Sequence, residues 1–400
     1  MSRRLLDKAR RRLAAESGVR ANPWGGRLAV ALVYPNTYHH AMSNLGFLTV
    51  YHLLNQRDDV LCERFFLPDA EDLKEHRNTG YPLFSLESGR FLDEFDLIAF
   101  SLSFENDYLH LPTIFELGRL PWRSHERDER SPLLLAGGIC AFLNPEPLAD
   151  VMDLFAVGEA EPILPSLLET LQENTGDRAE LLVRLAQQPG LYVPTLYEAI
   201  YDQGGQFSGH RPLADIPARV ERQYLSDLNQ SPSLSFVLTP ETEFGEMFLS
   251  EISRGCSRGC RFCAAGYIYL PPRERSFETL REQTQSSFLR EVLEQVQQDV
   301  EMGHTLATSF SRYPNTFSPF FITMLREGEL EGELDRVFDD LAEHYETRLG
   351  DTPDARRPAR AGLFDWEAAA SAFQWIFIWL CALLGVSALG AGLIYYATPE

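Results

Sequence analysis

At 400 residues the chain has room for two or three domains, each with its own core. Its 58 acidic residues against 36 basic ones give a net charge of −22, which leaves no broad basic face and excludes a bare nucleic-acid-binding role. Six cysteines, three of them crowded together, do not make a disulfide framework in a chain this long; they suit a reducing compartment with one metal or redox site.

Residues 1–24 are expected to carry a short amphipathic helix whose basic cluster, Arg3, Arg4, Lys8, Arg10, Arg11 and Arg12, reads as a solvated face; anionic lipid or a protein partner are the alternatives. No apolar run follows it, so it is not read as a secretory signal. From 25 to 175 the sequence alternates apolar runs with helical patterns. The runs are RLAVALVYP (27–35), FDLIAFSLSF (95–104), PLLLAGGI (132–139) and DLFAVGEAEP (153–162). Near-continuous apolar strands followed by helices predict a doubly wound α/β parallel sheet. Ligands of such sheets bind beyond the carboxyl ends of the strands; here those ends are rich in Gly, Asn, Ser and Pro, as either a ligand-facing rim or ordinary tight turns would be. Cys62 and Cys140 sit among apolar neighbours and read as buried small hydrophobes. Residues 176–245 are less regular: a hairpin is expected around DQGG (202–205), then an extended linker with several prolines and serines. Strand character returns at MFLSEISR (247–254).

Beyond Ser276 the period changes. Phe277, Leu280, Thr284, Phe288, Val292, Val296 and Val300 recur every three or four residues and predict one amphipathic helix ending at Gly303. More helix follows, broken around Pro314 and Pro319, with Phe310, Phe317, Phe321, Leu325, Val337, Phe338 and Leu341 as the apolar face of a small all-α bundle over 286–348. Gly328 and Gly332 permit either close helix approach or a turn. Glu327, Glu329, Glu331 and Glu333 read as a solvated or partner-facing acidic edge. After a linker (349–367), residues 368–397 hold no charge. Trp375 to Tyr396 is long enough to cross a bilayer, with Trp375, Trp379, Tyr395 and Tyr396 near its ends. Arg356, Arg357 and Arg360 just upstream place the N-terminal part in the cytoplasm. A single-pass protein of a bacterial inner membrane is expected, with the lipid bilayer as one partner.

The chemistry concentrates in GCSRGCRFC (255–263). Thiolates of Cys256, Cys260 and Cys263 on a tight loop reach three corners of one small iron–sulfur cube. Gly255 and Gly259 let the loop wrap closely. An iron without a protein thiolate stays open to a substrate or cofactor, whereas a structural zinc site would require a fourth ligand that the loop does not offer.

These residues resemble the radical S-adenosylmethionine (radical SAM) signature, with Phe262 just before the third cysteine. The resemblance implies that Cys256, Cys260 and Cys263 hold a [4Fe-4S] cluster, with Gly255, Gly259 and Phe262 around the cofactor. The open iron would bind S-adenosylmethionine, and a flavodoxin- or ferredoxin-like donor would supply the electron. Upstream, YPNTYHHAMSNLG, LLLAGGICAFLNPEP and VGEAEP resemble the radical SAM family that begins with a cobalamin-binding-like domain, over about residues 20 to 283. Cobalamin itself stays open, because the lower-ligand pattern Asp-x-His-x-x-Gly is not present; His39 and His40 lie nearby but outside that pattern. A radical SAM barrel would continue with several further strands. Residues 246–284 supply only its first strand, cluster loop and first helix, so the expectation is a fragment of a partial barrel.

GHTLATSFSRYPNTFSPFFITMLREGELEGELDRVF (303–338) is similar to the F-type platform protein of type II secretion and type IV pili, over about 286 to 346. That resemblance implies a scaffold, with secretion or pilus machinery or self-association as partners. Three readings follow: a membrane-held iron–sulfur enzyme of radical SAM type with no catalytic residue assigned, a non-enzymatic membrane platform, or two unrelated coding segments joined near Gln283–Ser287.

Overall fold

The computed structural model describes residues 2–18, 22–173, 176–245, 248–256, 260–261, 263–283, 287–314, 316–334, 336–338, 340–341 and 344. The expected membrane helix (368–397), Phe262 and Gly259 lie outside the described residues. Among those described, no helix is long and apolar enough to cross a membrane. The chain divides into two compact units: Met1–Ser226 with Ser233–Ser250, and Asp227–Pro232 with the chain from Glu251 onward.

The first unit is built on β1 (Leu28–Tyr34), whose sequence LAVALVY is buried along nearly its whole length. A strand buried on both faces needs both faces covered, and alternate residues divide accordingly. Val30, Leu32 and Tyr34 enter one apolar cluster; Ala29, Ala31 and Val33 enter the other. Before β1 runs α1 (Arg3–Ala15). After it come α2 (Tyr38–Met42), α3 (Leu45–Asn55), β2 (Val60–Phe66) and α4 (Ala70–Thr79), then β3 (Leu97–Ser101), α5 (Leu111–Gly118), β4 (Leu133–Gly137), α6 (Ile139–Leu143), β5 (Leu154–Ala156), α7 (Ala160–Gln172), α8 (Arg178–Ala186) and β6 (Leu191–Tyr192). The sheet order is β2-β1-β3-β4-β5-β6. The first five strands are parallel and β6 is antiparallel to β5. The expected parallel α/β sheet is present, and its last strand lies past residue 175.

Strand β2 was not among the four runs read from the sequence, because VLCERFF carries two charges in its middle. Both are buried. Arg64 donates to Glu16 at 2.6 and 3.0 Å and to Glu87 at 2.7 Å, and lies over the Tyr51 ring at 4.6 Å. Glu63 accepts from Trp24 Nε1 at 2.7 Å and Ser88 Oγ at 2.6 Å. A buried charge survives only when paired and hydrogen-bonded; Glu16 and Glu87 supply that pairing from far along the chain.

The basic face of α1 corrects a second expectation. Only part of it is solvated: Arg4 pairs with Asp72 at 3.0 Å, Lys8 pairs with Asp69 and, at 2.5 Å, Asp72, and Arg12 pairs with Glu241 at 3.0 Å while lying over the Tyr38 ring. The helix docks on the acidic start of α4 instead of standing free in solvent.

Around Asp202, β7 (Tyr197–Tyr201) and β8 (Phe207–Pro212) form an antiparallel hairpin. Asp202 Oδ1 accepts from the Gly204 and Gln206 amides at 2.8 and 2.9 Å, the local turn chemistry that its sequence promises. The chain then runs back as a strap. Gln223 bridges Gly158, just past β5, Ser233 meets Thr49 at 2.9 Å, Phe236 stacks on His52, and Thr239 accepts from the Tyr38 hydroxyl at 3.1 Å.

In the second unit the strand expected over 247–254 is reduced to β9 (Ser253–Arg254). After α9 (Ala265–Ile268), β9 pairs antiparallel with β10 (Arg273–Glu274), and among the described residues no strand follows. A two-residue ladder without parallel neighbours has no sheet to extend it. The single helix expected from 277 to 303 is two, α10 (Phe277–Gln283) and α11 (Ser287–Glu301), tied by Arg281 and Glu294 at 3.3 Å. Next come α12 (Leu306–Phe310) and α13 (Pro319–Glu331); Phe310, Phe317 and Phe321 interlock with ring centroids 4.7 to 5.6 Å apart. A Cβ at Gly328 would lie 2.7 Å from Val337, so close approach explains that glycine, whereas Gly332 ends α13 in the left-handed region at φ 73°.

Candidate functional site

Two places in the chain carry chemistry, and each is built differently. The first is the cysteine loop of the second unit. Its two ends are brought together by the ladder that pairs Arg254 with Arg273. Glu251 fastens this closure, accepting from Arg254 at 2.8 and 2.9 Å and from Arg275 at 2.7 Å. Arg275 is buried and reaches the Ser231 carbonyl at 2.7 Å and that of Leu228. Gly255 has φ 96°, and a Cβ there would lie 2.4 Å from the Tyr269 carbonyl oxygen. Only glycine fits such a turn, because the chain bends away from β9 while pressed against residues that return from α9.

Cys256, Cys260 and Cys263 are free thiols at intermediate exposure, and the Cys263 amide donates to the Cys260 carbonyl at 3.1 Å. No three His, Cys, Asp or Glu side chains among the described residues are gathered to hold one metal ion. The donor set nonetheless fits an iron–sulfur group: soft ligands, none spent in a disulfide or buried beyond reach, on one loop whose ends are fixed. Gly255, directly before Cys256, is pressed against Tyr269 and Pro272 at the base of the loop.

The second place is the carboxyl rim of the sheet. Because β1 is flanked by β2 on one side and β3 on the other, the order in which successive strands are added reverses between β1 and β3, which is where ligands of open α/β sheets lodge. Asn36, just after β1, donates to Asp107, just after β3, at 3.1 Å. Asn44 caps α3 by accepting from the Phe47 amide and donates to Ser103 at 3.1 Å. His110 Nδ1 donates to the Pro35 carbonyl at 2.7 Å. Gly138, at φ 95°, lets α6 start against Leu102, whose carbonyl would be 2.6 Å from a Cβ. His39 meets Glu243 at 3.1 Å and His40 meets Thr37 at 2.9 Å.

Asp107 is 1 % exposed, and burial raises its pKa above the ordinary carboxylate value against the pull of Asn36 and His110. Its Oδ2 has no hydrogen-bond partner. Beside it, burial pushes the Tyr108 hydroxyl up to about 12 and the Cys140 thiol up to about 11, so Cys140 stays a protonated, unreactive core thiol at neutral pH. Cys62, fully buried in β2, is held well above its usual value for the same reason. The rim is legible in the sequence but Asp107 is not, because its burial depends on strands distant in sequence.

Comparison with known proteins now places both units. Residues 46–194 match the family described as radical SAM proteins, N-terminal, and residues 271–355 match type II secretion system protein F. The chain joins a radical SAM N-terminal domain to a protein F segment. The cysteine loop lies in the interval between these two matches. The protein F match also reaches back over β10 and α10, which sequence reading had assigned to the barrel fragment. Among relatives, the uncharacterized protein MJ0966 of Methanocaldococcus jannaschii is 26 % identical over 252 residues, 63 % of this chain and 44 % of that protein. The type II secretion system protein F of Vibrio cholerae is 35 % identical over 77 residues, 19 % of each chain, and the type IV pilus assembly protein PilC of Thermus thermophilus 37 % over 70 residues, 18 % and 17 %. The chain thus spans less than half the length of each of these relatives. A solved radical S-adenosylmethionine methyltransferase, TsrM of Kitasatospora setae, covers 42 % of this chain and 28 % of its own at 19 % identity and a TM-score of 0.25, a likeness too slight to carry an inference.

Proposed function

We propose that this chain is an iron–sulfur protein of radical SAM ancestry in which Cys256, Cys260 and Cys263 hold a [4Fe-4S] cluster. It is held at a bacterial inner membrane through residues 368–397, with its N-terminal part cytoplasmic. The observation that carries the reading is the closed base of the cysteine loop: three free thiols between two chain ends that the β9–β10 ladder and the Glu251–Arg254–Arg275 pairs hold side by side. A bound cluster would supply one-electron chemistry at an iron open to S-adenosylmethionine. The residues of this chain fix the loop: Glu251 pairs with two arginines at its base, and Gly255 allows the turn. No strand follows β10 among the described residues, and the function proposed is cluster binding, not turnover. Cobalamin stays a further candidate ligand of the sheet's carboxyl rim, where the pattern Asp-x-His-x-x-Gly is not present and His39 and His40 hydrogen-bond to Glu243 and Thr37.

Anaerobic reconstitution of the full chain in detergent tests this. About four irons and four sulfides per chain, lost together in Cys260→Ala and in Gly255→Ala, are expected. Absence of iron in a folded chain sinks the proposal. 5′-Deoxyadenosine formed after reductant and S-adenosylmethionine are added would extend it to enzymatic activity.

A second reading is favoured by the protein F match and the interlocked phenylalanines of α12 and α13: a platform segment that associates with secretion or pilus machinery or with itself. It predicts self-association that survives Cys256→Ala, measured by sedimentation.

A further inference from the structure

We propose that a cavity at the amino end of the sheet, formed by the loop before β4 and the start of α8, binds a phosphate group through Arg127 and Arg178. Ser124, His125, Arg127, Glu129, Arg178 and Thr195 line it, and its volume is about 220 Å³. Clefts for drug-sized ligands run to roughly 300–1,000 Å³, so the occupant is small. The place is at the opposite end of the strands from the carboxyl rim: Asp153 directly precedes β5, and the Leu134 amide at the start of β4 donates to it.

The argument starts from how Asp153 is shared. This carboxylate, 3 % exposed, pairs with Arg127, whose side chain is 0 % exposed, and with Arg178, at 12 %. Its Oδ1 accepts from Arg127 Nε and Nη2 at 3.3 and 3.2 Å, and its Oδ2 from Arg178 Nη2 and the Leu134 amide at 2.8 Å each. Those bonds use every acceptor site of a carboxylate. Burial lowers the Arg127 pKa against the pull of Asp153, and the Arg178 guanidinium adds to that lowering; two like charges sit on one anion. The guanidiniums also donate to carbonyls, Arg127 to Pro121 and Val151, Arg178 to Asp128, Ser131 and Pro132. One Nη1 proton of Arg127 and the Nε proton of Arg178 are then left without a partner among the described residues.

The rest of the lining selects the ligand. The hydroxyls of Ser124 and Thr195 and the ring of His125 have no hydrogen-bond partner among the described residues, and each can donate. An apolar or cationic occupant would leave these donors unused. A phosphate group takes donors from several directions and matches guanidiniums in particular. Glu129 opposes it, but that side chain is exposed and its Oε2 already accepts from the Arg178 amide at 2.6 Å, so solvent screens its charge.

The test uses the full chain in detergent, without iron, so its result is independent of the cluster. Calorimetric titration at constant ionic strength is expected to show saturable binding of inorganic phosphate or methyl phosphate, with acetate at least about 10-fold weaker. Tighter binding of phosphate would assign the free ion, and tighter binding of methyl phosphate an ester; either supports the site. Arg178→Gln should weaken binding about 10- to 100-fold, the effect of losing a hydrogen bond to a charged group. Glu129→Gln keeps an acceptor for the α8 amide and should tighten binding about 2- to 5-fold, the effect of removing one exposed charge. The proposal is overturned if neither phosphate saturates, if acetate binds as well, if Arg178→Gln binds unchanged, or if Glu129→Gln weakens binding. Should Arg178→Gln fail to fold, Ser124→Ala combined with Thr195→Ala decides: weaker binding supports the site and unchanged binding overturns it.

Discussion

Strand β1 and strand β9 are both read from the sequence as parallel strands leading into a functional loop, yet they are held in different ways. The first is seven residues long, paired on both sides, and buried in two apolar clusters. The second is two residues long and has one antiparallel partner. What keeps β9 in place is charge: Glu251 and the guanidiniums of Arg254 and Arg275. An apolar sheet tolerates single changes because many contacts share the load, whereas a base of three ionised groups depends on each member.

That contrast can be broken from either side. The largest effect is expected where the sheet itself relies on charge. Arg64→Met leaves Glu16 and Glu87 buried and unpaired, and should destabilise the first unit by about 3–5 kcal/mol. Hydrogen exchange read separately on peptides of each unit should report this loss in β1–β6 and leave α11–α13 unchanged; exchange unaltered in β2 would refute the ion cluster as a support. Next, Arg275→Gln should cost about 1–3 kcal/mol in the second unit, with faster exchange at Ile252 to Cys256 and lower iron content after reconstitution. A loss of comparable size in the first unit would show that the two regions do not respond separately. Smaller again is Glu329→Gln. This carboxylate accepts from the Leu306 and Ala307 amides at the start of α12, so about 0.5–2 kcal/mol of helix-end stability should go, detectable as a lower melting temperature.

The smallest effect is a slope. Cys140 has a folded-state pKa pushed up to about 11 by burial, so its neutral form is favoured in the fold. Its contribution is fully present below about pH 9 and is lost as pH rises through about 11. Urea midpoints measured from pH 8 to 11 should therefore fall less steeply in Cys140→Ala than in the unaltered chain. Equal slopes would place that thiol in contact with solvent.

Particular residues explain how far the sequence could be read. β1, β3, β4 and β5 were legible because buried parallel strands are apolar without interruption. β2 was hidden because Glu63 and Arg64 look like solvent-facing residues until Trp24, Ser88, Glu16 and Glu87 are seen around them. MFLSEISR was read as a longer strand than it forms, since alternation describes a strand's faces and says nothing of whether a neighbour exists to pair with it. Glu329 read as part of an acidic edge, although it caps a helix 23 residues upstream. In the cysteine loop the ligand types and spacing were local and therefore readable. Asp107 was not readable, because SLSFEND does not reveal which of its two acids the neighbouring strand covers.

The Glu16–Arg64–Glu87 cluster also imposes an order of events on synthesis. As the chain leaves the ribosome, the α1 segment emerges first, and its glutamate has no cation to meet until residue 64 is out. The arginine in turn lacks its second carboxylate until Glu87 follows. The six elements α1, β1, α2, α3, β2 and α4 therefore precede the completion of this cluster. They wait for the stretch before β3, so that the N-terminal segment is committed only when the sheet already has its centre under construction.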